Sequence, residues 1–339
     1  LNWHKLPGYA ASALMIVFTA VWSFWGIGEM YHEGWWGAWY NCLPYLVPVA
    51  ASLIPTMVAM TWPIAGGVII LLVAAVFIAI FGLDNPLMGG FMGVLGAMFL
   101  YDGWYRRRTG WEPDQGMPWW RRNFGYLMAV GLPLVILVGF SINRLPVVLT
   151  RVDDGDRGAR LIEGNGINLV WAPKGPGWNY KQPWGGYPSW HDVALYGMEP
   201  VGLDDKPGYG WEIGVFASAE DMAATNLCRY LSPDGTTLMG QPQGIWRMPT
   251  TNEMVRSLVR DGENAGCTWN GEDQVQVECD ITPDKESPLW ATDEPVIYYW
   301  TADSYDDREG YYVSYNGWVQ TATKTGGNPR HSYRCVKEP

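Results

Sequence analysis

The stretch S-A-E-D-M-A-A-T-N-L-C-R-Y-L-S (Ser218–Ser232), followed by I-W-R-M-P-T-T-N-E-M-V-R-S-L (Ile245–Leu258), decides the reading of this chain. Each half has the pattern of a capped helix. Ser218 stands where an N-cap belongs, with Asp221 three residues on, and Met222, Leu227 and Leu231 supply the apolar side. Thr250 caps the second helix, and Glu253 closes a capping box ahead of Met254, Val255 and Leu258. Pro249 stops the preceding strand just before the cap.

Around this pair the chain divides into two unlike parts. Up to Thr150 there are seven Lys or Arg against six Asp or Glu, a net charge of +1. The total is −11, so residues 151–339 carry −12. So acidic a region is a poor partner for nucleic acid or anionic lipid. The 21 Trp fit membrane-interface belts and a large aromatic core.

The first part holds five apolar runs: Tyr9–Gly28, Tyr45–Trp62, Ile64–Leu83, Leu87–Trp104 and Phe124–Ile142. Each approaches the 17–25 residues that a bilayer-spanning helix needs. Pro48 and Pro55 predict a kink in the second run, and Trp62-Pro63 makes a very tight joint. The first run is read as a retained span, because no small-x-small cleavage pattern follows it. Arg106–Arg108 and Arg121–Arg122 share the one long polar loop, which the positive-inside rule makes cytoplasmic. That puts the N-terminus inside, the region after Ile142 outside, and the chain in a cell (inner) membrane as a multi-pass protein.

The spans carry no Asp, Glu or Lys at their middles and no His, which argues against an ion or proton pathway. His32, at the end of the first span, is read as an interfacial side chain, not a pigment ligand. Gly89, Gly93 and Ala97 recur at four-residue spacing on the fourth span, a small-residue face for close helix contact.

The second part opens through V-D-D-G-D-R-G (Val152–Gly158), which lacks the full spacing and closing Glu of a calcium loop and reads as a solvated linker. L-I-E-G-N-G-I-N-L-V-W-A (Leu161–Ala172) reads as a hairpin turning at Glu163–Gly166. Residues 174–210 are rich in Gly, Pro and Trp without periodicity. Such a loop is a candidate contact surface, with Trp178, Trp184 and Trp190 as its anchors. Cys228, Cys267, Cys279 and Cys335 allow three pairings. No C-x-x-C pair argues for zinc instead.

The helix pair, together with Y-Y-W-T-A-D (Tyr298–Asp303) and Y-R-C-V-K (Tyr333–Lys337), resembles the sulfatase-modifying-factor, or formylglycine-generating-enzyme-like, group of C-type-lectin-like domains. The resemblance covers roughly Ala159 to Pro339. It implies an α+β lectin-like fold whose first helix lies beside its last strand, which favours the pairing Cys228–Cys335. Cys267 and Cys279 would then close a short polar loop between them. Enzymes of that group carry two reactive, copper-binding cysteines shortly before the closing strand. The corresponding stretch here, Asn316–Tyr333, has none, so the soft ligands for copper are missing. Calcium-dependent sugar binding is also incompletely matched, since Glu294-Pro295 is followed by Val296 and Trp300 by Thr301-Ala302-Asp303. Asp303, Asp306, Asp307 and Glu309 read as a solvated acidic turn.

The expected protein is thus an α-helical multi-span membrane domain of about five spans (residues 1–148), a linker (149–160) and an α+β C-type-lectin-like extracytoplasmic domain (161–339), periplasmic or extracellular. No catalytic, metal-binding or cofactor-binding residue is assigned. The expected role is a non-catalytic accessory or scaffolding subunit of a larger bacterial-type membrane complex, with energy-transducing assemblies among the candidates. Its expected partners are other membrane subunits and the lipid bilayer, and not nucleic acid. The alternative is a stand-alone surface receptor, or a ligand- or carbohydrate-binding membrane protein.

Overall fold

A computed structural model of the chain describes residues 3–81, 86–110, 117–182, 186–196 and 216–339. It divides into two compact units, Leu1–Val148 and Leu149–Pro339. The first is helical: α1 (Leu6–Glu29), α2 (Val47–Thr61), α3 (Pro63–Phe81), α4 (Pro86–Thr109), the short turn α5 (Trp119–Arg122) and α6 (Phe124–Leu149), which runs to the boundary. Proline stands in the first two positions of α1, α2, α3 and α4. There its missing N–H costs nothing, and its fixed φ suits the helix. A π-helical turn, Met30–Gly34, closes α1.

Three helical segments among the described residues, Trp3–Gly34, Trp39–Thr61 and Phe124–Leu149, are long and apolar enough to cross a membrane. They mark the unit as membrane-associated. The tight joint at Trp62-Pro63 is accommodated because Gly66 has no side chain, since a Cβ there would collide with Ala59 of α2.

α3 and α4 pack antiparallel on a strict seven-residue register. Gly89, Gly96 and Gly103 of α4 receive Ile78, Leu71 and Ile64 of α3 in turn. A Cβ on these glycines would lie 2.5, 2.7 and 2.5 Å from the partner side chain. Close approach of backbones is how helices gain packing energy in lipid, where the surrounding chains are as apolar as leucine. Along the α1–α2 seam, hydroxyls replace glycine: Thr19 and Thr56 bond each other at 3.0 Å. Ser23 donates to Thr19 O and Thr56 to Ser52 O. The buried polar groups are thereby satisfied without a carboxylate.

The second unit is sheet-rich. Its strands are β1 (Arg160–Gly164), β2 (Ile167–Trp171), β3 (Trp178–Asn179), β4 (Val259–Arg260), β5 (Glu263–Asn264), β6 (Val275–Gln276), β7 (Tyr298–Ser304), β8 (Glu309–Ser314), β9 (Trp318–Thr323), β10 (His331–Arg334) and β11 (Val336–Lys337). Its helices are α7 (Trp190–Ala194), α8 (Ala219–Ala224) and α9 (Thr251–Arg256). The main sheet runs β3-β10-β7-β8-β9-β6, a second runs β1-β2-β11, and β4-β5 form a small pair. The β1–β2 hairpin turns at Asn165-Gly166, both at positive φ (49° and 79°). An Asn-Gly pair adopts that turn with little strain. β11 then pairs with β2, so the two ends of the domain lie side by side.

Both capping boxes form. Ser218 Oγ accepts from Asp221 N and Thr250 Oγ1 from Glu253 N, each acid returning to the cap N–H. The first helix is shorter than the apolar pattern suggested, ending at Ala224. Thr225 turns its hydroxyl back onto Ala194 O and Asp221 O, and Asn226 donates to Met222 O. Leu227–Tyr230 then forms a separate 3-10 turn. Side chains that bond the preceding carbonyls end the helix early.

The linker expected at 149–160 is instead fixed to the second unit. Arg151 forks onto both oxygens of Asp284 at 2.9 Å. Arg157 joins Asp153 to Asp293. The disulfides are Cys228–Cys335 and Cys267–Cys279; both suit an oxidising compartment.

Candidate functional site

Among the helices of the first unit, α1 and α4 leave a groove of about 490 Å³ between them. Leu14, Phe18, Trp22 and Trp25 face it from α1 at helical spacing, and Met88 and Phe91 from α4. Leu14 and Trp25 are well exposed. The groove offers carbon and aromatic edges.

The four-residue series Gly89, Gly93 and Ala97 does not act as one face. Gly89 is buried against Ile78, within the chain's own α3–α4 packing. Gly93 has open space where a Cβ would stand, and Ala97 is exposed, as are Gly90 and Val94. The physical reason is the seven-residue register, which claims Gly89, Gly96 and Gly103 and turns Gly93 and Ala97 elsewhere. His32 lies half-buried in the π-helical turn.

In the second unit, Trp178 and Trp190 are corrected from contact surface to core. Trp178 donates its indole N–H to Tyr299 Oη at 2.7 Å, and the Arg334 guanidinium covers its ring at 3.7 Å. Trp190 donates to Thr301 O at 2.9 Å, with Lys324 Nζ 4.7 Å from the ring centre. The signal misread was tryptophan in a Gly/Pro-rich stretch. Each indole N–H here has a buried acceptor, as large aromatic core residues require. Trp184 and residues 197–210 of the expected loop lie outside the described residues.

Among the described residues of this unit, three Lys or Arg side chains are buried: those of Arg334, Lys324 and Lys285. Arg334 is fully enclosed and donates to the carbonyls of Ala172, Pro288 and Leu289 at 2.7–2.9 Å. Burial pulls its pKa down to about 9. Lys324 donates to Ala217 O and Asp307 O, and burial lowers its pKa. Lys285 donates to Glu294 O; burial, with Arg151 and Arg330 nearby, holds it well below the usual amine range. Main-chain carbonyls hold all three side chains, and tryptophan faces add to the hold on Arg334 and Lys324.

His331 is buried among Tyr298, Trp300 and Tyr312, with ring centres 4.8–5.0 Å away. Neither ring nitrogen has a hydrogen-bond partner, and burial pushes its pKa down to about 3. His191 accepts from Ala217 N at Nδ1 and is also lowered by burial.

The acidic turn is engaged in local structure. Asp303 accepts from Thr251 N at the start of α9, Asp306 from the N–H groups of Arg308 and Glu309, and Glu309 from the Thr321 hydroxyl. Among the described residues, no group of three His, Cys, Asp or Glu gathers as a metal site.

One feature of the first unit escaped the sequence reading. Asp102 is buried at the α1–α4 contact, where Gly8 makes room for it, and pairs with Arg106 at 2.7 Å. The acid lies near the end of an apolar run, four residues before an arginine. That spacing is the available signal. No family model, no curated protein and no solved structure matches this chain.

Proposed function

We propose that the chain is a non-catalytic scaffolding subunit of a larger membrane assembly. It spans the bilayer five times and presents a lectin-like domain outside for protein contacts. α3 and α4, of 19 and 24 residues, have the length for the remaining two crossings at 1.5 Å per residue. The paired domain ends, the helix-to-last-strand disulfide and the two capped helices support the lectin-like reading. The competing role is the stand-alone receptor.

The observation that carries the proposal is the outward side of the first unit. An apolar groove runs between α1 and α4, and at Gly93 the surface is open where its neighbours in the seven-residue register are filled. A neighbouring helix fits such a surface by close backbone approach. The test compares two substitutions by the size and composition of the particle solubilised in mild detergent. Gly93→Leu should shrink the particle while leaving this chain folded. Gly96→Leu should instead disrupt the chain itself, because Leu71 already occupies that space. A wild-type protein that runs as a lone monomer and binds a soluble sugar or peptide would replace this reading with the receptor.

A further inference from the structure

A second cavity in the first unit, of about 640 Å³, differs in kind from the apolar groove. It opens among the start of α1, the end of α2, the end of α4 and the turn α5 that leads into α6. Four cations line it: Lys5, Arg106, Arg121 and Arg122. Among the described residues of the lining, Asp102 is the one carboxylate, and it is paired with Arg106. Arg121 and Arg122 are exposed.

Ala13, Ile16 and Met60 give the lining an apolar part. Ile16 lies about 16 Å along the chain from Lys5, at 1.5 Å per helical residue. The cavity therefore combines cationic groups at helix ends with hydrocarbon lining. Trp104, Trp119 and Trp120 are exposed close in sequence to these cations, with Arg108 and Arg121 over the rings of Trp104 and Trp120. Exposed tryptophans with arginines mark a membrane–water interface.

We infer that this cavity binds the phosphate head group of an anionic phospholipid, with the upper part of an acyl chain against Ile16 and Met60. The cations select a phosphodiester without a compensating choline or ethanolamine. Arginine is suited to this because its planar fork can meet two phosphate oxygens at once. Basic pockets between transmembrane helices are a recurrent form of head-group recognition. The apolar lining favours lipid over a soluble phosphate, which would leave that surface in water. The inference requires that the first unit sit in a membrane, and it is independent of the scaffolding role.

The experiment uses the full chain in mild detergent and native mass spectrometry, with phosphatidylglycerol, phosphatidylcholine or inorganic phosphate added separately. Phosphatidylglycerol should be retained at one per chain, at least ten-fold above phosphatidylcholine. The double substitution Arg121→Gln, Arg122→Gln should cut that retention about ten-fold. Both side chains are exposed, and thermal unfolding of the variant should match the parent. Met60→Trp should block retention from the apolar side with every cation kept. Equal retention of the two lipids overturns the inference. So does undiminished phosphatidylglycerol in the double variant. Displacement of the lipid by millimolar inorganic phosphate, with Met60→Trp binding that phosphate normally, would reduce the site to a simple anion site and also overturn it.

Discussion

His331 shows how one residue can tie stability to pH. Its ring is enclosed by three aromatic side chains, and both nitrogens lack a partner, so only the neutral form is tolerated. In the unfolded chain a histidine takes up a proton near pH 6.5; here burial lowers that value to about 3. The unfolded state therefore binds more protons throughout that window. Stability is fully present above about pH 6.5 and declines as pH falls toward 3. Each pH unit well inside the window removes about 1.4 kcal/mol per histidine. His191 acts with the same sign. Replacing His331 by Phe, which keeps a ring among rings, should remove its share and leave that of His191. The measurement is urea unfolding at pH 7 and pH 5, above the range where carboxylates dominate. An unchanged pH 7-to-5 difference in the variant would show that the histidine is not confined as described. The buried cations taught a similar lesson from the other side. Nothing in the one-letter code separates Lys285 or Lys324 from a surface lysine, because their enclosure arises from segments far away in sequence.

Elements were legible where the signal is local and obscure where it is not. The capping boxes at Ser218 and Thr250 each occupy four consecutive residues, and both form. Thr250→Ala removes the acceptor for Glu253 N and weakens a bidentate arrangement in which Glu253 also receives Arg247 at 2.7 Å twice. It should destabilise the second unit by about 1 kcal/mol, read by chemical denaturation; no change would mean the helix is held by packing alone. The Asn165-Gly166 turn was equally local. The glycines of α4 were not, since a four-residue series and a seven-residue series coexist in the same helix. Choosing between them depends on where Ile64, Leu71 and Ile78 of α3 fall. The early end of α8 was hidden for the same reason: Thr225 is drawn away by Ala194 O, thirty-one residues earlier. Trp190 likewise reads as surface until Gly310 of β8 is seen to clear its place. A Cβ there would lie 2.6 Å from the indole.

At the scale of the whole molecule, the division into a helical unit and a sheet-rich unit follows from a change of solvent. The described residues before about 148 lie mostly in helices, which satisfy their own backbone as a lipid environment requires. Those after it use sheets, turns and two disulfides, which an aqueous, oxidising compartment allows. The proposed topology joins these facts with charge: Arg106–Arg108 and Arg121–Arg122 should lie on the cytoplasmic side, and the disulfide-bonded unit outside. The arrangement is tested by labelling single added cysteines in a Cys42→Ala background with a membrane-impermeant maleimide. Arg308→Cys, on an exposed turn between β7 and β8, should label in intact spheroplasts. Thr109→Cys, at the exposed end of α4, should label only after the membrane is opened. Both variants should keep Cys228–Cys335 and Cys267–Cys279 oxidised, so that the added thiol is the one that reacts. Labelling of Thr109→Cys in intact spheroplasts, with Arg308→Cys protected, would invert the topology. It would also place both disulfides on the reducing side, where they would not be expected to persist. Labelling of both positions in intact spheroplasts would require an even number of crossings between them, and the five-span arrangement would fall.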